Sequence, residues 1–299
     1  MQSYLILFDF AVLRVQDHAL VLLSVLSLEL GFSVGGIITH RWKNFYEDRR
    51  MKTKCVTIGS ATLYNGNSFD VLPKLDVEVD ALITDMPYGI SDCRWDYSIP
   101  LDSFWDMVER RAKPTANFVL FACGRFTHEL YNSKRKWYRY DMIWVKNKKC
   151  GFLNANLQPL RNHESILVFV RPGFFKKGTY NPQKTPGGRA GIRKTKRRGG
   201  VYRSIDGCEK YYDGTIHPCS VLYFKNETGL HPTQKSVPLM EHLVKSCSNE
   251  GDTVIDPFMG SGSTGIAAIN TGRRFIGIER EPEYFDIVCE RIEKAYREV

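Results

Sequence analysis

Val79-Asp-Ala-Leu-Ile-Thr-Asp-Met-Pro-Tyr-Gly89 is the stretch around which the rest of the chain makes sense. Ala81, Leu82 and Ile83 are a short apolar run, and Thr84 to Gly89 turns polar. Pro87 and Gly89 stop any regular element, so the pattern is that of a buried strand ending in a loop. In open α/β sheets the carboxyl edge of the strands is where ligands bind. Asp85 is an acceptor with no cation beside it in sequence. Pro87 restricts Met86 to extended backbone and so limits the direction of its carbonyl. Tyr88 adds a flat ring. A carboxylate, a directed carbonyl and an aromatic face together suit an amino group on a planar heterocycle.

The totals allow such a site in a globular enzyme. A chain of 299 residues buries one sizeable core with room for an inserted subdomain. Hydrophobic content of 43% with 25% charged residues is ordinary for a globular protein. The formal net charge of +9 and a pI of about 9.1 point to a polyanionic partner. The eight cysteines form no Cys-x-x-Cys pair and no His-x-x-x-His accompanies them, so no metal site is expected and reduced thiols in a cytoplasm are the plain reading.

Residues 1–50 look foreign to the rest of the chain. Ala19 to Ile38 is mostly apolar, but Glu29 makes it a poor membrane span, and no basic opening marks a signal peptide. A second start at Met51 makes this segment an extension of doubtful status, and no stable membrane association is expected.

From Cys55 the chain alternates strand and helix. Thr62 to Asn65 reads as strand, and Asn67 or Ser68 is placed to cap a brief helix holding Val71 and Leu72. Leu101 to Arg111 reads as helix, Asn117 to Ala122 as strand and Phe126 to Asn132 as helix. Tyr140 to Lys146 and Glu164 to Val170 read as strands. The alternation argues for a mostly parallel sheet covered on both faces.

Residues 171–225 break the rhythm and read as a long basic loop. Lys176, Lys177, Arg193, Lys194, Lys196, Arg197 and Arg198 occur before any acid, with Phe174, Phe175, Tyr180 and Tyr202 interleaved. Cations with aromatics suit phosphate contact and base stacking.

His231-Pro-Thr-Gln-Lys-Ser236 then precedes an amphipathic helix from Val237 to Cys247. Thr253-Val-Ile-Asp-Pro-Phe-Met-Gly-Ser-Gly-Ser-Thr-Gly265 reads as strand, Gly-rich loop and helix, with glycines that admit a ligand to the backbone. Strand Arg274 to Ile278 ends in Glu279, about 20 residues past the loop, where nucleotide-binding folds hold ribose hydroxyls. Gly260-x-Gly-x-x-Gly265 also matches the dinucleotide fingerprint. Too few residues come after it to complete a dinucleotide domain, and Asp256-Pro-Phe258 has no part in one.

With three motifs in this order, residues 55–295 resemble the β class of S-adenosylmethionine-dependent DNA amino-methyltransferases, as carried by bacteriophages and restriction–modification systems. Asp85-Met-Pro-Tyr88 resembles the family's Asp-Pro-Pro-Tyr. His231-Pro-Thr-Gln-Lys235 resembles its His-Pro-Thr-Gln-Lys-Pro, and Asp256 to Gly262 resembles its cofactor loop. Met86 and Ser236 depart from the family's prolines. The resemblance implies a Rossmann-like fold with a doubly wound, mostly parallel sheet, a circularly permuted motif order and an inserted basic target-recognition region at 171–225. Residues 51–170 would then form the catalytic half and 226–299 the cofactor half. It implies Asp85, Met86, Pro87 and Tyr88 as catalytic. Asp256, Phe258, Gly260, Gly262, Thr264, Glu279, Thr233, Lys235 and Asn67 would surround S-adenosylmethionine, and the substrate would be double-stranded DNA with its target base flipped out. Asp as the first motif residue favours adenine N6 over cytosine N4. An RNA or protein-glutamine methyltransferase, which uses a related Asn-Pro-Pro-Tyr loop, fits less well, and a methyltransferase fold that merely binds DNA is the non-enzymatic rival. The recognised sequence and the oligomeric state, a homodimer included, are not legible.

Overall fold

A computed structural model describes residues 53–89, 97–194, 209–227, 229 and 234–298. The described residues open with a hairpin of β1 (Lys54–Ile58) and β2 (Ala61–Asn65), of which sequence patterning marks only the second strand. A one-turn helix, α1 (Ser68–Val71), comes next, its second amide capped by Asn67 Oδ1, which accepts from Phe69 N at 3.0 Å. Strand β3 (Val79–Thr84), helix α2 (Leu101–Glu109), strand β4 (Ala112–Ala122) and helix α3 (Arg125–Ser133) continue the alternation. Pro114 lies near the start of β4. There the register with β3 shifts between Val79 and Ala81, and a missing amide is tolerated at such an irregularity.

Strands β5 (Tyr138–Cys150) and β6 (Arg161–Phe169) form a long antiparallel hairpin. The basic segment is not one long loop. It holds a separate two-stranded ribbon, β7 (Thr185–Lys194) with β8 (Glu209–Ile216), and a short strand β9 (Val221–Tyr223) that joins the main sheet beside β5. Helix α4 (Val237–Cys247), strand β10 (Thr253–Asp256), helix α5 (Ser263–Asn270), strand β11 (Arg274–Glu279) and helix α6 (Pro282–Glu298) complete the chain.

The main sheet runs β1-β2-β11-β10-β3-β4-β6-β5-β9. Strands β2, β11, β10, β3 and β4 are mutually parallel, so their carboxyl ends share one edge. Successive residues point to opposite faces. Ile83, Val119 and Val254 pack with Leu239, Leu243, Ala267, Phe285, Val288 and Ile292 of α4 to α6. Their neighbours Leu82, Phe118, Leu120 and Ile255 pack with Val71, Phe104, Trp105 and Leu130 of α1 to α3. The sheet is therefore doubly wound, and its central strands are apolar without interruption because both faces are covered.

Gly265 sits where α5 crosses this layer: a Cβ there would meet Phe275 Cε1 at 2.7 Å and Ile292 Cδ1 at 2.8 Å. Gly265→Ala should therefore overpack the core by about 1–3 kcal/mol. Thermal denaturation should show a midpoint lowered by about 2–4 °C for each kcal/mol lost.

Candidate active site

The parallel strands deliver the first set of side chains. Asp85 follows β3, Asp256 ends β10, Glu279 ends β11 and Cys123 follows β4. Strand β6 runs antiparallel to β4, so its beginning, Glu164, reaches the same edge. Strand β5 reverses again, so its end, with Lys146, Lys148 and Cys150, arrives there too. These residues line one cavity of about 420 Å³ together with Asn67, Met86, Pro87, Tyr88, Lys235, Phe258, Gly260, Thr264 and Arg280.

Asp256 is a structural clamp at the cavity floor. Its Oδ1 accepts from Thr84 Oγ1 at 2.6 Å and from Phe258 N at 3.1 Å, and its Oδ2 accepts from Thr264 Oγ1 at 2.6 Å. Three donors belonging to the chain occupy the carboxylate, so Asp256 and Thr264 shape the loop from beneath. Burial pushes the Asp256 carboxyl up to about 6, against the three donors that favour its charged form. Glu279 is held similarly. Its Oε2 accepts from Gly260 N at 2.8 Å and its Oε1 from Glu281 N at 2.8 Å, and burial lifts it to about 7.

A second cluster surrounds Asp85. Tyr88 Oη donates to Asp85 Oδ1, and Lys235 Nζ donates to Asp85 Oδ2. The same ammonium lies 3.2 Å from Glu164 Oε2, and Lys146 Nζ donates to Glu164 Oε1. Two carboxylates and two ammonium groups thus alternate, with Lys235 also 5.0 Å from the Phe121 ring centroid. Burial disfavours charge on Lys235, but Asp85 and Glu164 outweigh it and hold the ammonium well above its usual range. Burial also opposes charge on Glu164, yet Lys235 and Lys146 keep it below the usual range. Asp85, with burial as the largest influence and Glu164 nearby, lies above the usual range despite Lys235. It is therefore the more basic of the two carboxylates. Sequence reading missed Glu164 and Lys146. Their one local signal was a charged residue at the end of an apolar strand, the same signal that marks Asp85.

Lys235 joins the two clusters, since its backbone oxygen accepts from Ser263 Oγ at 2.8 Å at the start of α5. Phe258 is half-buried, with its ring 6.4 Å from Phe104 and 6.5 Å from Phe69. Tyr88 stacks on Phe126 at 4.7 Å. Gly260 has φ 52° and a Cβ there would meet nothing within 4 Å, so the loop backbone is open on that side. Gly262, at φ 78°, has the opposite reason for glycine: a Cβ would meet Val288 Cγ1 at 2.8 Å.

The basic residues divide. Strand β6 carries the chain away from the cavity edge, and Lys176 and Lys177 come after it. Between them and β6, Arg171 Nη2 donates to Glu109 O, at the end of α2. Lys176 and Lys177 are exposed and lie in no strand of either sheet. Arg193 and Lys194 end β7. Lys196, Arg197, Arg198 and Thr233 lie outside the described residues, as do residues 1–50. Among the described residues no helix is long and apolar enough to cross a membrane, and no group of three metal-ligating side chains occurs.

The chain is similar to known proteins in sequence and in fold. The family model described as DNA methylase, for the N6 and N4 methyltransferases, matches residues 79–290. The chain is 26% identical over 245 residues to the type II methyltransferase M.HpaI of Haemophilus parainfluenzae, covering 77% of this chain and 73% of the relative. It is 28% identical over 252 residues to M.BglII of Bacillus subtilis, covering 75% and 67%. A 65-residue stretch is 51% identical to M2.DpnII of Streptococcus pneumoniae, of which it spans only 24%. The solved complex of M1.HpyAVI with S-adenosylmethionine superimposes with a TM-score of 0.55 at 27% identity, over 77% of this chain and 99% of that one. The PvuII cytosine-N4 methyltransferase, at 17% identity and a TM-score of 0.56 over 81% and 93%, shares the fold. The chain belongs to the DNA amino-methyltransferase family, whose members take their methyl group from S-adenosylmethionine.

The residues present fit that cofactor. The open backbone at Gly260, the half-buried Phe258 ring and the Glu279 carboxylate offer close approach, an aromatic surface and an acceptor for hydroxyls within one cavity.

The raised Asp256 carboxyl makes a stability prediction. Its folded value of about 6 exceeds the unfolded value of 3.8, so the folded protein binds more protons between them and loses stability as pH rises across that window. Asp256→Asn keeps an acceptor for Thr84 and Phe258 but has no charge to bury. Its stability relative to the parent should improve between about pH 4 and 6, by at most about 3 kcal/mol. Urea unfolding across that range checks it, and a difference independent of pH would contradict the assignment.

Proposed function

We propose that this chain methylates N6 of an adenine flipped out of double-stranded DNA, in the manner of a type II modification enzyme. The carrying observation is that Asp85 and Met86 share one cavity with Phe258, Gly260 and Glu279. The nitrogen's lone pair is delocalised into the ring, which makes it a poor nucleophile. Asp85 and the Met86 carbonyl each accept one of its N–H bonds, which draws the lone pair out of conjugation. S-adenosylmethionine, when bound, supplies a methyl group activated by a positive sulfur. Asp85 already accepts from Lys235 and Tyr88, and a carboxylate offers roughly four lone-pair directions, so an arriving amine finds room. Lys235 holds Asp85 in place, while its raised affinity for protons lets Asp85 take the one the methylated amine sheds. Much of the rate comes from positioning. Phe258 packs on the cofactor, Glu279 accepts from its ribose, and Asn67 stands at the adenine end. Tyr88 packs against the extruded base, which a duplex would otherwise hide.

Target recognition is assigned to the β7–β8 ribbon and the basic residues 195–208 between its strands. The ribbon pairs only with itself in the described structure, and Arg193 and Lys194 lead into that basic stretch. The Asp at the head of the catalytic segment supports adenine over cytosine.

Asp85→Ala should abolish transfer of labelled methyl groups to DNA while DNA binding persists; retained turnover would refute the assignment. Phe258→Ala should weaken S-adenosylmethionine binding by calorimetry. Nucleoside mass spectrometry of methylated DNA should yield N6-methyladenine, with N4-methylcytosine the contrary result. Replacing Arg193, Lys194, Lys196, Arg197 and Arg198 by alanine should weaken DNA binding and flatten its dependence on salt.

A further inference from the structure

The connection between β5 and β6, residues 151–160, exposes three large apolar side chains. Phe152 is 67% exposed, Leu153 101% and Leu157 85%. Gly151, at φ 88°, turns the chain out of β5 into a 3₁₀ turn at Phe152–Asn154 that lifts these side chains into water. Nothing among the described residues offsets that exposure, which is the signature of a surface awaiting a partner.

Its position limits the partner. Along β5 the alternate residues Trp144, Lys146, Lys148 and Cys150 line the catalytic cavity. The turn therefore begins one residue beyond the cavity lip. No acid occurs between Met142 and His163, and Lys148, Lys149 and Arg161 are exposed. An apolar tip on a cationic stem matches a polyanion with an apolar interior, whereas the same stem on a second copy of this chain would be repelled.

We propose that Leu153, with Phe152 beside it, is a wedge that enters the base stack of the duplex as the target base leaves it. This rests on the reading of the cavity as the site for a flipped base. Extrusion costs unpairing and unstacking and leaves a gap in the stack. Inserted apolar side chains fill such gaps. Lys148 and Lys149 flank the gap where phosphates pass.

The test uses the full chain and two duplexes carrying its target site, mapped by sequencing methylated DNA from an expressing host. One duplex is fully paired, and the other carries a mispair at the target base, which lowers the cost of extrusion. Leu153→Ala and the Phe152→Ala/Leu153→Ala double variant should lose at least about tenfold in kcat/KM on the paired duplex. Both should recover to within about threefold of the parent on the mispaired one, with S-adenosylmethionine affinity unchanged. Equal loss on both duplexes, or no loss on either, overturns the wedge. So does a shift in sedimentation showing that the turn joins two copies. If the parent methylates neither duplex nor any other DNA, the cavity assignment itself has failed and the wedge falls with it.

Discussion

Asp256 is the tie on which the site depends. It is buried at the end of a central strand and has exchanged its water for Thr84, Phe258 and Thr264. Thr84 immediately precedes Asp85, and Thr264 opens the helix above the glycine loop. One carboxylate therefore sets the Asp85 segment and the glycine loop at a common depth. Removing one partner would leave a buried acceptor or donor unpaired, so the three elements hold or fail together.

Lys235 makes the second connection, from above. Its ammonium lies between Asp85 and Glu164, and its backbone oxygen anchors Ser263. Burying one ion pair here would cost more than it returns. Four alternating charges, each facing opposites, reduce that cost and keep Asp85 beside a cation without surrendering its basicity.

The geometry derives from strand direction. Five parallel strands bring Asn67, Asp85, Cys123, Asp256 and Glu279 to one edge because each leaves its strand at the same end. The antiparallel β5–β6 hairpin then supplies Lys146 and Glu164 from strand ends of opposite sense.

The chain's local chemistry was enough to mark Asp85 to Tyr88, the glycine loop and Glu279, because each depends on turn and strand-end preferences that act over a few residues. The apolar runs around Leu82, Phe118 and Ile255 likewise announced a sheet covered on both faces. Hidden from that reading were the Lys235–Glu164–Lys146 cluster, the ribbon within the basic segment and the exposed tip at Leu153. Each depends on strand order, strand direction or register, which arise from contacts between residues far apart in the chain. Asp85 shows the division most plainly: its own neighbours mark it as an acceptor at a strand end, but the cation that faces it comes from a segment 150 residues away, brought there only by folding.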